Sequence, residues 1–367
     1  MLNYGLKFLI FLAMLLGLPL IGVYAAGLPI SLYFQFPPKN FYVSHAPFSW
    51  PAFIAYAVAI AAVAVFFVFH WLKMKPEVSL VETPPAAHFP WWGWLGIAAG
   101  ITSWILAWTR FTWFTAWQLH TFTPLWLSFI VVINAMSYCR KGGCLMIDRA
   151  KFFFLLFPVS GLFWWFFEYL NRFVQNWYYL SPDYDALQYF IRATLPFCTV
   201  LPAVLSVQEW FLTYPSIHIA FKGSIPIRPA RPKVLAWLVL AVASVGLALI
   251  GVYPNYLFGL VWISPGLIII ALQTLQGEKH ILSDIADGDW TLAAASALSA
   301  LFCGLFWEMW NYYSLAKWEY AIPFVNRFHL FEMPILGYAG YLPFGLECAT
   351  IGGLVSDWLS SKAPHRG

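Results

Sequence analysis

Apolar residues fall in long unbroken blocks along this chain. A helix crossing a bilayer needs about 20 mainly apolar residues, since each adds about 1.5 Å through a core about 30 Å thick. Ten segments meet that need: 6–33, 50–72, 91–109, 121–138, 151–172, 188–213, 233–252, 256–274, 290–313 and 331–359. Barrel strands would alternate in short runs, whereas Ala57 to Phe69 and Leu235 to Ile250 are apolar on every face. Helix is therefore the expected spanning state, and the expected fold is all-α, a polytopic transmembrane bundle of about ten spans.

Basic residues give the expected orientation, because loops kept in the cytoplasm accumulate Lys and Arg. With the N-terminus inside, the cytoplasmic set is Lys7, Lys73, Lys75, Arg140, Lys141, Arg149, Lys151, Lys222, Arg228, Arg231, Lys233, Lys279, Lys362 and Arg366. The other side keeps Lys39, Arg110, Arg172, Arg192, Lys317 and Arg327. This division, 14 against 6 of the 20 basic residues, predicts an inner (cytoplasmic) membrane protein with both termini in the cytoplasm. Trp91-Trp92, Trp177-Tyr178-Tyr179 and Trp318 fall at expected boundaries, where amphipathic rings anchor. The Lys7-led run ending in Tyr24-Ala25-Ala26 has the form of a signal peptide, but it continues through Tyr33, so a retained signal anchor is expected.

Compared with itself, the chain repeats. Phe166-Phe167-Glu168-Tyr169-Leu170-Asn171 leads to Trp177-Tyr178-Tyr179, and Phe306-Trp307-Glu308-Met309-Trp310-Asn311 leads to Trp318-Glu319-Tyr320. Leu195-Pro196-Phe197 matches Leu342-Pro343-Phe344, and Leu125-Trp126-Leu127-Ser128 matches Val261-Trp262-Ile263-Ser264 more weakly. The glutamates lie 140 residues apart and the prolines 147. Four spans separate the equivalents, so the copies run in the same sense, as parallel repeats about an axis along the membrane normal. The expected organisation is an N-terminal helix pair in 1–88, a four-span repeat in 89–215 and a second in 233–360.

Composition agrees with a membrane protein: 61% hydrophobic, 20% aromatic and 10% charged, where soluble domains carry about 25% charge. A soluble enzyme, a disordered chain and a nucleic-acid-binding domain are excluded, and a net charge of +4 points to no polyanionic partner. The 5 cysteines form no disulfide framework; Cys139 and Cys144 lie in an expected cytoplasmic loop and read as free thiols. No nucleotide motif, nucleophile elbow, zinc motif or Cys-x-x-Cys occurs, so no cofactor and no metal are expected. Asp284, Asp287 and Asp289 with Glu278 read as a solvated loop, since no second Asp-rich motif accompanies them.

The few ionisable residues near the apolar core are the candidate chemistry, because such groups are costly and face the protein interior or a wet cavity. Glu168 with Asn171, and Glu308 with Asn311, each share a helix face near the outer end of a span. Topology brings Arg110, His120, Arg192, Arg327, His329 and Glu332 to the same side. Glu347 is expected about fifteen residues into the last span, near mid-membrane, where a carboxyl would suit a general acid for protonating an alkene. For Glu168 and Glu308 two readings stand, catalytic acids or structural helix-end groups. Arg110, Arg192 and Arg327 also read as snorkelling side chains, His120 and His329 as boundary residues, and the aromatic residues as packing or lipid-facing surface that could also stabilise a carbocation.

Trp310-Asn311-Tyr312, Trp318-Glu319-Tyr320 with Pro323, and Leu342-Pro343-Phe344-Gly345-Leu346-Glu347 resemble the small membrane lycopene cyclase domains. Those domains carry a Trp-x-Asn-Tyr-like segment, a Trp-x-Tyr-x-Pro-like segment and a Pro-x-Glu-Glu-type element, and occur as tandem same-sense copies. Where they carry an acidic pair, this chain has Glu347 alone after Pro343. The resemblance implies an isomerase or lyase acting on a carotenoid-like substrate.

The leading expectation is thus an enzyme acting by acid chemistry on a membrane lipid or isoprenoid. Its acids would be Glu168, Glu308, Glu332 and Glu347, with Asn171 and Asn311 orienting them. Arg110, His120, Trp177, Arg192, Trp318, Arg327 and His329 would surround the substrate. A lipid or small-molecule transporter with its route between the repeats, and a structural membrane subunit, are the alternatives.

Overall fold

The computed structural model describes residues 4–73, 88–180 and 184–361; Lys75, Lys362 and Arg366, counted above as cytoplasmic, lie outside them. Helix occupies part of each of the ten apolar segments. We number these α1 (Leu6–Ala25), α2 (Trp50–Leu72), α3 (Trp91–Trp108), α4 (Phe122–Lys141), α5 (Ala150–Val174), α6 (Ala186–Leu212), α7 (Pro232–Leu249), α8 (Ser264–Gln276), α9 (Thr291–Tyr312) and α10 (Tyr341–Ser361). Among the described residues, seven helices are long and apolar enough to cross a membrane, or eight if Pro254–Trp262 and α8 count as one bent span. The protein is a multi-pass, largely helical membrane protein. In α3 and α10, which are 18 and 21 residues long, Trp, Gly and polar side chains dilute the apolar character.

Two segments depart from a straight span. Pro254–Trp262 and α8 meet at 56°, because Pro265 in the first turn of α8 has no N–H to continue the preceding helix. The segment 331–359 is helical only from Tyr341. Before it, β3 (His329–Leu330) pairs antiparallel with β4 (Met333–Pro334), and a 3₁₀ turn covers Ile335–Gly340. Phe328 and Phe331 take left-handed φ values of 56° and 59°, and Pro334 removes a donor, so helix cannot extend through this stretch. Glu332 therefore sits in a hairpin, and Glu347 stands in the second turn of α10, nearer one end of the helix than the expected mid-span depth.

Close packing replaces a hydrophobic driving force between helices in lipid, so small residues mark the contacts. A Cβ on Gly345 would stand 2.1 Å from the Ser296 carbonyl oxygen of α9, and one on Gly22 of α1 would stand 1.4 Å from that of Ala248 in α7. Buried polar side chains bridge further pairs: Asn134 Nδ2 donates to Ser206 Oγ at 2.9 Å, and Gln208 Nε2 to Ser296 Oγ at 2.5 Å. One continuous buried cluster draws on every numbered helix except α2, so the three sequence segments share a core.

The two ends of the bundle differ. One carries the ion pairs Lys7–Glu278, Lys141–Glu209 and Arg228–Asp287. The other carries β1 (Trp177–Leu180) after α5 and β2 (Lys317–Tyr320) after α9. These strands pair antiparallel, with Trp177 opposite Tyr320, Tyr178 opposite Glu319, Tyr179 opposite Trp318 and Leu180 opposite Lys317.

Candidate functional site

The Asn side chains at the ends of α5 and α9 build the strand ribbon. Asn171 Nδ2 donates to the Trp177 carbonyl at 2.8 Å, and its Oδ1 accepts the Asn176 N–H at 2.8 Å. Asn311 Nδ2 donates to the Trp318 carbonyl at 2.8 Å, and its Oδ1 accepts the Trp318 N–H at 2.9 Å. Helix ends leave backbone groups unpaired, and a short amide side chain can satisfy those of the following segment. The asparagines therefore fix the strands rather than orienting the glutamates, as the shared helix face had implied. Gln175, with φ 49°, ends α5 and holds the loop before α2 by accepting the Tyr42 and Val43 N–H groups, each at 2.9 Å.

Each fixed strand then delivers aromatic donors to a buried carboxylate. Glu168 Oε1 accepts from Tyr179 Oη at 2.6 Å, Trp177 Nε1 at 3.0 Å and Trp164 Nε1 at 3.1 Å. Glu308 Oε1 accepts from Tyr320 Oη at 2.6 Å and from Tyr341 Oη, at the start of α10, at 2.7 Å. Trp318 Nε1 donates to Tyr320 Oη at 2.7 Å. Glu308 Oε2 is buried with no hydrogen-bond partner among the described residues. In the strands, burial and then the adjacent glutamate hold the Tyr179 and Tyr320 phenols well above their usual range, so both keep their protons.

A cavity of about 160 Å³ lies against this ribbon. Its walls include Trp164, Trp177, Tyr179, Trp262, Trp307, Trp318, Tyr320 and Tyr341, and its charged lining residues are Arg192 and Lys317. Glu168 and Glu308 stand one hydrogen bond behind that wall, through the phenols and indoles they accept from. A smaller cavity of about 30 Å³ shares Trp177, Trp262, Tyr320 and Tyr341.

No protein-family model, curated protein or solved structure matches the chain.

The remaining sequence candidates divide by position. Trp177, Trp318 and Arg192 line the cavity, and His120 accepts from Arg192 Nη1 across 3.2 Å. Burial and then Arg192 lower the His120 pKa, which keeps the ring neutral and able to accept. Glu332 pairs with Lys317 at 2.5 Å, behind the lining. Arg110 instead closes helix ends, donating to the Ala107 carbonyl at 2.9 Å and to the Tyr313 carbonyl at 2.7 Å. Arg327 lies 4.6 Å from the Phe48 ring, and His329 contacts Asn326 at 3.3 Å; neither reaches the cavity. Glu347 is separate: its Oε1 accepts the Gly266 N–H at 2.8 Å, at the start of α8, and its buried Oε2 has no partner among the described residues. A Cβ on Gly266 would stand 2.6 Å from Glu347 Cγ, so the site depends on that glycine.

Sequence reasoning missed Trp164, Trp307, Tyr341 and Lys317 as lining residues. Trp164 lies four residues before Glu168, one turn away on the same face, and that spacing was available as a signal. Tyr341 comes from a different helix and had no local signal. Among the described residues, no group of three His, Cys, Asp or Glu side chains is placed to hold a metal ion, and none of the five cysteines is in a disulfide. The site's means are aromatic walls for an apolar guest, ring faces that attract positive charge, and phenolic protons beside buried carboxyls.

Proposed function

We propose that this membrane protein is an enzyme that holds an isoprenoid or carotenoid-like lipid in the aromatic cavity and acts on it by acid chemistry. Protonated Glu308 is the proton source: the Tyr320 or Tyr341 O–H turns from the carboxyl and passes its proton to the guest, and the phenol oxygen takes the carboxyl proton in its place, leaving the carboxylate. The observation that carries this reading is a cavity walled by Trp and Tyr in which the Tyr179, Tyr320 and Tyr341 phenols lead to buried carboxyls. The resemblance of Trp310 to Glu347 to lycopene cyclase domains contributes the lipid class. Glu347 is a second acid, removed from the main cavity.

The same proposal takes the chain as ten spans in two parallel copies, 89–215 and 233–360, with both termini cytoplasmic and the cavity on the opposite side. Reciprocal geometry supports the pairing. Trp126 lies 4.8 Å from Trp307, while Trp262 lies 5.4 Å from Phe167, so each copy's Trp packs on the other copy's aromatic-Glu motif. The Trp177–Tyr320 and Tyr179–Trp318 pairs exchange in the same manner.

The test is mass spectrometry of lipids bound to gently extracted protein, together with the host's lipid and pigment profile. A bound prenyl lipid or polyene is expected, with a wild-type change in the profile that Glu308→Gln removes. If Glu308→Gln and Glu347→Gln both reproduce the wild-type profile, the enzyme reading fails.

A transporter is the second reading, favoured by the 56° break before α8 and by the α8 N-terminus meeting Glu347, since broken helices frame many transport sites. Translocation of a labelled lipid in proteoliposomes with its covalent structure unchanged would select it.

A further inference from the structure

Arg192 and Lys317 are the two cations on a lining that is otherwise aromatic, aliphatic and phenolic, and they are not equivalent. Lys317 Nζ lies 2.5 Å from Glu332 and 3.9 Å from Glu319, so its charge is balanced within the protein. Among the described residues Arg192 meets only neutral groups: its Nη1 contacts His120 Nε2 at 3.2 Å and Tyr184 Oη at 3.3 Å, and its guanidinium carbon lies 4.6 Å from the Tyr184 ring centre. No carboxylate among the described residues pairs with it. The contacts hold one arm of the fork and leave Nε and Nη2 without a partner among the described residues.

A half-buried guanidinium on an apolar wall, with no counter-charge among the described residues, is a ready partner for an anion. Its planar fork suits the oxygens of a phosphate or carboxylate, which it grips through charge-assisted hydrogen bonds. The neutral His120 ring and the Tyr184 stack hold the fork in place without consuming its charge, which is what a receptor for an anion requires. From Arg192 the lining continues through Pro196, Phe197 and Trp164 towards the Glu-bound phenols, so a head at Arg192 directs a chain along the rings.

We infer that the guest is an amphiphile with an anionic oxygen head held by Arg192 and a long apolar tail along the Trp and Tyr walls. This rests on the lipid-cavity reading and narrows its substrate class, because a bare hydrocarbon would leave the guanidinium unpaired.

Isothermal titration of the full chain in a neutral maltoside detergent, with geranylgeranyl phosphate, geranylgeraniol and inorganic phosphate, tests the inference. The phosphate lipid is expected to bind roughly tenfold or more tighter than the alcohol. Arg192→Gln removes that preference while the alcohol binds as before, which also shows that the variant is folded, and Arg192→Lys restores part of it. Equal binding of the two lipids to the wild type, or parallel weakening of both by Arg192→Gln, overturns the anionic head and leaves the lipid cavity standing. Inorganic phosphate binding as tightly as the phosphate lipid overturns the amphiphile. If neither lipid binds, the lipid-cavity reading fails as well.

Discussion

Glu168 and Glu308 occupy corresponding places near the C-terminal ends of α5 and α9, three residues before an Asn that fixes the next strand. Their surroundings differ. Glu168 receives three donors from its own helix and strand, all on one oxygen. Glu308 receives one phenol from its strand and a second from α10, while Trp318 has moved its N–H from the carboxyl to Tyr320. The first carboxyl is thus tied into a closed local frame. The second joins α9 to α10 and keeps a buried oxygen without a partner among the described residues. One motif therefore stands in two settings, a closed frame in one place and a link between helices in the other, and the enzyme proposal assigns the reactive role to the second.

That contrast can be tested first through stability. A buried donor left without an acceptor costs about 1–3 kcal/mol, so Glu168→Ala, which strands three, should lose about 3 kcal/mol or more. Glu308→Ala strands two phenols and should lose about 2 kcal/mol or more. Thermal unfolding in detergent gives the order, and a larger loss at Glu308 would erase the distinction between anchor and reactive group.

The isosteric pair comes next. General acid catalysis contributes about 100-fold or more, so on the enzyme proposal Glu308→Gln should slow lipid conversion by that amount while Glu168→Gln changes it less than about tenfold. Product formation followed by mass spectrometry decides this, and equal losses would make the two carboxyls functionally alike. The smallest effect concerns the indoles. Trp177→Phe and Trp318→Phe each delete one N–H bond worth about 1 kcal/mol, with the larger loss at Trp177 because its acceptor is a carboxyl group. A larger loss at Trp318 would mean that Tyr320, rather than the carboxyl, organises the second frame.

Much of this arrangement was legible in the sequence. Hydropathy located a helix in each apolar segment, and the paired Glu-x-x-Asn…Trp pattern singled out the two helix ends that meet at the ribbon. The segment 331–340 was misleading because Phe331, Met333, Ile335 and Leu336 are as apolar as a span, while left-handed phenylalanines and Pro334 fold it as a hairpin and turn. The asparagines were placed on the right face but given the wrong partner, since face sharing reports proximity within a helix and not the demand of the backbone beyond it. Tyr341 and Trp262 reach the cavity only through tertiary packing, for which no local spacing exists.

No residue of α2 is buried, and its ring contacts gather towards its two ends: Trp50 and Phe53 meet Phe328, while Phe66 and Phe67 meet Phe221. Between them, Ala57 to Val65 is exposed except at the half-buried Ala57 and Ile60. The exposed positions of that stretch are set by oiliness and length and not by a partner side chain. Any apolar residue serves at its exposed alanines and valines, while the aromatic residues at either end are held by what they touch.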